Sequence, residues 1–236
     1  MTNDSNAIIR NAQAVREGIR RAAERVGRNP DAIRLVAATK FVSVERIRTA
    51  IEAGITILGE SRLQEALPKI EAIGSRPDVA WHFIGRLQRR KAKAIVGRFE
   101  MIHSVDSVDL AAEIDRRAGE AGLCQKVLLE VNIGGESSKT GFAPAEMDET
   151  LKALDKMRHL SVRGLMTIPP YSPHPESARP YFRATRELAE SAKRHTFQRI
   201  RLEELSMGMS QDYDIAIEEG ATFVRVGTVI FGARPQ

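Results

Sequence analysis

A single cysteine, Cys124, in 236 residues excludes an internal disulfide framework and a cysteine-built zinc site, and suits a reducing compartment. No apolar run approaches the roughly 20 residues that span a bilayer, so no membrane attachment is expected. The opening MTNDSNAIIR lacks the basic-then-apolar order of a secretory signal, and a cytoplasmic location is expected. Neither a GxGxxG nor a GxxxxGK(S/T) glycine loop occurs, and no segment is of low complexity. What is present is ordinary for a folded chain: 42% hydrophobic and 28% charged residues argue against wholesale disorder. Thirty-six Lys and Arg against thirty-one Asp and Glu leave a net charge of +5, which favours an anionic ligand without identifying one. At roughly 100–200 residues per domain, the length allows two small domains or one large barrel.

The apolar residues Ile8, Ala12, Val15, Ile19, Ala22 and Val26 recur at steps of four and three, so the chain is expected to begin with one amphipathic helix. Asp4 or Ser5 is available to cap it, and Gly27 to end it. Beyond Pro30, short β-prone runs alternate with helical ones. Strands are expected at 33–39, 55–59, 80–84, 101–105, 126–132, 161–167, 204–206 and 223–226. Helices are expected near 44–53, 62–73, 90–96, 108–120, 145–157, 177–194 and 211–219. Several strands are apolar at consecutive positions (KVLLEV, TFVRV), as strands covered on both faces are. Eight such units predict an α/β fold, a (β/α)8 TIM barrel with an extra N-terminal helix, in preference to an open doubly wound sheet. AIEAGITILGES and AIEEGATFVRVGT echo one another, with Gly54 and Gly220 placed as left-handed helix stops. PPYSPHPESARP, residues 169–180, is the one Pro-rich loop.

Working residues of such a barrel sit at the C-terminal ends of the strands. Lys40 follows the apolar LVAAT, which delivers an amine to the rim; burial and a neighbouring cation would make it nucleophilic, whereas a plain strand-end lysine would reach into solvent. SMGMSQDYDIAIEEG places Ser210 to cap a helix from Gln211, with Gly208 making the turn, and RVGT adds small residues after the last strand. Together these two loops suit a phosphate, though an ordinary capped helix and turn would look the same. Arg225, a donor without acceptor capacity, would keep a facing heteroaromatic nitrogen unprotonated; the alternative is an interior ion pair, for example with Glu60. His82 and His103 are placed at the pocket mouth or in the core, and two histidines without a third ligand make a poor metal site. The basic run Arg86, Arg89, Arg90, Lys91 and Lys93 has no stacking aromatic, so it is read as a solvated face and nucleic acid is not expected.

The segments LVAATK, LGESRLQE, WHFIGRLQ, IHSVDS, VNIGGESSKTG, RGLMTIPP, LSMGMSQDYDIAI and VRVGTVIFGAR, taken in order, resemble the YggS/PROSC family, the pyridoxal phosphate homeostasis proteins, from Ile33 to Arg234. That family resembles the barrel domain of the fold-type III alanine racemases. The resemblance implies one barrel domain over 1–236, with a helix over 1–28 and the barrel over 33–234, and pyridoxal 5'-phosphate as cofactor. It implies Lys40 as the lysine forming the internal aldimine, Ser210, Gly227 and Thr228 as phosphate ligands, and Arg225 facing the pyridine nitrogen. Ser61, His82, Met166 and Ser206 complete the set of residues it places about the cofactor. Three positions depart from the family pattern: Ser61 stands where Asn is usual, Arg90 where Asn is usual, and Thr39 where Ser is usual.

An unprotonated ring nitrogen makes the cofactor a weak electron sink, and racemisation needs a second acid or base. Racemases of this fold type take that group from a second domain, which is not expected here because the chain ends within ten residues of the last expected strand. Of Tyr171, Tyr181 and Tyr213, only Tyr171 is placed to reach in. The expected function is therefore a monomeric carrier that holds the coenzyme, limits free aldehyde and passes it to acceptor enzymes, without evident turnover. A racemase-like enzyme is the alternative, and a cofactor-free Schiff-base aldolase a third class. Whether Lys139 is a second binding point stays open.

Overall fold

The computed structural model describes residues 3–233, so the expected bounds at 1, 234 and 236 lie outside the described residues. Eight parallel strands close in chain order: β1 (Arg34–Ala38), β2 (Ile57–Glu60), β3 (Ala80–Phe83), β4 (Met101–Val105), β5 (Gln125–Glu130), β6 (Leu160–Met166), β7 (Ile200–Ser206) and β8 (Phe223–Val226). β8 pairs back onto β1 from Arg34↔Phe223 to Ala37↔Val226, which closes the barrel. The expected fold class is the one observed. β4 and β8 are buried at every position, because one face meets the barrel interior and the other the helical layer. β7 is longer than its expected three residues. In its first half Ile200 and Leu202 are buried while Arg201 and Glu203 are exposed, so one face meets water and the apolar run that marks the other strands is broken.

Among the described residues the helices are α1 (Asn3–Arg25), α2 (Val44–Glu52), α3 (Leu63–Ile73), α4 (Ala92–Ile95), α5 (Val108–Glu120), α6 (Met147–Leu154), α7 (Arg179–Ala192), α8 (Tyr213–Glu218) and α9 (Thr228–Phe231). In α1 the stripe from Ile8 to Ala22 is buried against α2, α8 and α9, as its spacing predicts. Val26 is the exception: it lies past the helix end and is 43% exposed. Asp4 and Ser5 lie inside α1 rather than capping it, since the helix already runs from Asn3. Ser107 caps α5, its hydroxyl accepting the Leu110 amide at 3.3 Å. Gly54 (φ 85°) and Gly220 (φ 107°) are the left-handed helix stops their echo predicts. No helix among the described residues is long and apolar enough to cross a membrane.

Two apolar clusters result. The larger lies between strands and helices; the smaller, Val36, Met101, Leu128, Met166 and Phe223, fills the barrel itself. At the N-terminal mouth the Arg34 guanidinium stacks 3.7 Å from the Phe223 ring centroid and pairs with Glu204, whose carboxylate also accepts Thr222 Oγ1 at 2.7 Å. Arg34, Phe223 and Glu204 thus cover the interior from below, and the cavity opens at the C-terminal ends of the strands.

β6 and β7 approach so closely that position 164 has no room for a side chain. A Cβ there would lie 1.8 Å from the Glu204 carbonyl oxygen, a backbone atom that cannot swing aside. Gly164→Ala is expected to lower unfolding stability by about 3 kcal/mol or more, measured as a lower denaturant midpoint at unchanged m-value.

Candidate ligand-binding site

A cavity of about 910 Å³ opens at the C-terminal ends of the strands. Its walls come from the loop after β1 (Lys40, Phe41, Val42), the loop after β5 (Glu136, Lys139), the Pro-rich loop after β6, the loop after β7 (Met209–Asp212) and the end of β8 (Arg225, Gly227, Thr228). Four cations line it, Lys40, Arg46, Lys139 and Arg225, against two carboxylates, Glu136 and Asp212. Lys139 pairs with Glu136, and Arg46 pairs with Asp4 at 2.9 Å, so these four side chains hold the rim together. The field inside is positive.

Lys40 is half-buried and is held by its neighbours on both sides. Before it, the Thr39 hydroxyl donates to Glu60 Oε1 at 2.7 Å, and the Thr39 carbonyl accepts Lys69 Nζ at 2.7 Å. Lys69 and the fully buried Glu60 pair at 2.8 Å beneath α3. After it, Phe41 takes a left-handed backbone (φ 63°) that a bulky residue adopts only under constraint, its amide donating to Glu65 Oε2 at 3.0 Å. The turn that carries the amine is therefore clamped. Thr39, Glu60 and Lys69 escaped the sequence reading as a unit; the available signal was an acid at the end of one strand and a lysine nine residues on in an otherwise apolar helix face.

Across the cavity, the Arg225 side chain is buried yet makes no ion pair among the described residues. The anticipated Glu60 partner is taken by Lys69 on the outer side of the barrel wall. Arg225 instead donates through NH1 to the Ser206 carbonyl (2.7 Å) and hydroxyl (2.6 Å), and through NH2 to the Thr167 carbonyl (3.0 Å). Burial pushes the guanidinium down to about 10, opposed by the Asp212 and Glu130 carboxylates. Beside it, Ser210 does not cap a helix. α8 starts at Tyr213, Asp212 holds the turn by accepting the Met209 amide at 2.6 Å, and Ser210 Oγ instead accepts the Gly227 amide at 3.4 Å. The loops after β7 and β8 are thereby joined. Gly208 turns the first of them (φ 88°), with its carbonyl accepting the Arg225 amide at 3.0 Å. Gly227 sits tightly against β1: a Cβ there would lie 3.1 Å from the Ala38 carbonyl oxygen.

Of the residues singled out from sequence, Lys40, Ser210, Arg225, Gly227 and Thr228 line the cavity. Ser206 is fully buried and reaches it only through Arg225. His82 does not stand at the pocket mouth: it and His103 lie inside the barrel, 2% and 0% exposed, because β3 and β4 point these positions inward below the rim. Met166 is a member of the interior apolar cluster, not of the cavity wall. Ser61, one residue past β2, lies against Gly85, also outside the lining. Tyr171 lines the cavity but is 85% exposed, while Tyr181 and Tyr213 are half-buried on helices away from it. The basic residues Arg86, Arg89, Arg90 and Lys93 are exposed, and with Lys91 lie apart from the cavity.

A closed parallel barrel whose C-terminal cavity is lined by a lysine on a clamped turn and a buried guanidinium defines a class: (β/α)8 proteins with a lysine just after the first strand and a buried arginine on the last. The family model for the alanine racemase N-terminal domain matches residues 10–235. A pyridoxal phosphate homeostasis protein of Aquifex aeolicus (strain VF5) is 46% identical over 220 residues, 93% of this chain and 95% of its own length. The solved structure of PipY from Synechococcus elongatus PCC7942, with PLP bound, is 35% identical, covers 95% of this chain and all of that one, and gives a TM-score of 0.83. The alanine racemase from Streptomyces coelicolor A3(2) shares the fold alone, at 20% identity and a TM-score of 0.71, over 98% of this chain and 59% of that one. The chain belongs to the alanine racemase N-terminal domain family and, within it, to the pyridoxal phosphate homeostasis proteins.

Glu130, at the end of β5, titrates near neutrality. Burial and the Asp106 carboxylate push it up to about 7, against the pull of Arg225 and Arg86. The folded state therefore holds this proton more tightly than the unfolded chain, and stability falls as pH rises from about 4.5 to about 7. In Glu130→Gln that part of the slope is expected to vanish, leaving the variant more stable than the parent at pH 8 by on the order of 1–3 kcal/mol, read from denaturant midpoints at pH 5 and pH 8.

Proposed function

We propose that the protein binds pyridoxal 5'-phosphate in this cavity, holds it covalently at Lys40, and so buffers the free coenzyme and releases it to acceptor enzymes. One observation carries the reading: a buried guanidinium that makes no ion pair among the described residues and a lysine on a clamped turn share one positive cavity. The donor set fits the group. A phosphate needs several N–H and O–H donors and little bulk, and Ser210, the small Gly227 and Thr228 sit together on two joined loops. A pyridine nitrogen offers one lone pair, and Arg225 is a pure donor with three of its five N–H groups already taken. The relatives' name and the PLP-bound PipY structure support the same assignment.

When bound, pyridoxal phosphate supplies an aldehyde that condenses reversibly with primary amines and a ring that accepts electrons according to its protonation. This chain's residues set how much of that chemistry is used. Lys40, pinned through Thr39 and Phe41, presents its amine from the β1 side. Ser210, Gly227 and Thr228 orient the anion from the β8 side. Arg225 stays a cation at physiological pH and keeps its partner nitrogen free of a proton, which favours retention of the coenzyme over carbanion chemistry.

Mixing the protein with pyridoxal phosphate is expected to produce a visible absorbance band that hydroxylamine discharges. Borohydride is expected to fix one coenzyme mass on the peptide containing Lys40. In Lys40→Ala the band and the fixed mass disappear, and affinity falls at least about tenfold through loss of the covalent contact. An unchanged band in that variant overturns the assignment. Conversion of L-alanine to D-alanine that depends on Lys40 would turn the reading towards an enzyme.

A further inference from the structure

Inside the barrel, below the cavity, four polar side chains from four strands meet in a line. Arg225 NH1 donates to Ser206 Oγ at 2.6 Å, Ser206 Oγ lies 2.9 Å from His103 Nδ1, and His103 Nε2 lies 2.9 Å from His82 Nδ1. Ser206 and His103 are fully buried, and His82 and Arg225 nearly so. An apolar layer insulates the pair of rings from the charged lower mouth: Phe223 packs 5.5 Å from His82 and 5.3 Å from His103, and Arg34 stacks beneath it.

The direction of this chain follows from valence. Arginine donates only, so Ser206 Oγ accepts there, and its single hydrogen meets no acceptor among the described residues other than His103 Nδ1, so it goes to that nitrogen. His103 then accepts on Nδ1 and carries its proton on Nε2, which donates to His82 Nδ1 and places the His82 proton on Nε2 as well. Neither ring is charged near neutral pH. His82 is lowered to about 4, chiefly by burial, with Glu100 opposing the shift and Arg34 and Lys126 adding to it. Burial holds His103 well below its ordinary value, helped by His82, Arg225 and Arg34. A cationic His103 would set a second charge two links from Arg225 in a medium where like charges repel strongly.

We infer that Ser206, His103 and His82 are positioning residues for Arg225: a one-directional hydrogen-bond chain across the barrel that fixes how the guanidinium faces the cavity, and thereby selects a ring ligand with an unprotonated acceptor nitrogen. The inference rests on the coenzyme reading above for the ligand, but not for the chain itself. His82 reappears here as a supporting residue three links from Arg225 rather than as a contact, and with both rings neutral the positive charge of this hydrogen-bonded line rests on Arg225.

Two measurements test it. On the protein without coenzyme, nitrogen NMR of the histidine rings is expected to show two neutral rings protonated on Nε2, unchanged from about pH 5.5 to about pH 8. A charged ring, or His103 protonated on Nδ1, overturns the chain. Binding is then compared for pyridoxal phosphate and for its analogue with carbon in place of the ring nitrogen. The parent protein is expected to prefer the pyridine. Ser206→Ala and His103→Leu are expected to lose about tenfold of that preference while keeping their affinity for inorganic phosphate. His103→Asn, whose amide oxygen can stand in for Nδ1 as acceptor, is expected to restore it. Preference retained in both Ser206→Ala and His103→Leu overturns the positioning role and leaves the coenzyme reading standing. If the parent binds neither aldehyde, the coenzyme reading falls, and the ligand role of the chain falls with it.

Discussion

A guanidinium buried without a contacting carboxylate among the described residues is the constraint around which this molecule is arranged. Removing a cation from water costs several kcal/mol unless polar groups replace the lost hydration. Around Arg225 the replacements are two strand-end carbonyls and a serine hydroxyl, all neutral and all aligned with their negative ends towards the charge. Had a carboxylate been in contact, the charge would be cancelled locally. Neutral acceptors leave the cavity positive and leave a donor in need of an acceptor, which is the condition an anionic, nitrogen-bearing ligand satisfies.

The lysine side of the cavity solves the opposite problem, how to hold a long flexible side chain in place. Its own four methylenes are not where the order comes from. The Glu60–Lys69 pair under α3 fixes the Thr39 carbonyl and hydroxyl, and Glu65 secures the left-handed Phe41. A buried ion pair is weak evidence for stability, but here it immobilises a turn, a use for which its directionality is suited. The two sides meet because β8 pairs with β1: Ala37 lies opposite Val226, so residues separated by most of the chain become neighbours across one strand gap.

How far the sequence could be read depends on the range of the forces involved. Helix stripes, glycine stops and apolar strand runs report local periodicity, and they located the elements to within a few residues. The misplacements share a cause. Val26 continues the spacing of α1 but falls after the chain has turned, and Ser210 has the composition of a cap but finds its partner in another loop. β7 looked short because one face of its first half is wet. His82 and His103 could be placed at the rim or in the core from their neighbours alone, since a strand's alternation says which face a residue takes and not how deep along the barrel axis it ends.

The order of strands and helices, the closed-barrel class and the chemical types gathered at the strand ends were determined by the sequence itself, because each follows from residue spacing and side-chain chemistry acting over a few positions. Which of those side chains touch was decided only by the tertiary structure. The pairing of Glu60 with Lys69 rather than Arg225, the joining of Ser210 to Gly227, and the line from Arg225 through Ser206 to two neutral histidines all require strands remote in sequence to be brought into register. Hydrogen bonds act over about 3 Å, and only closure of the barrel brings those atoms that close.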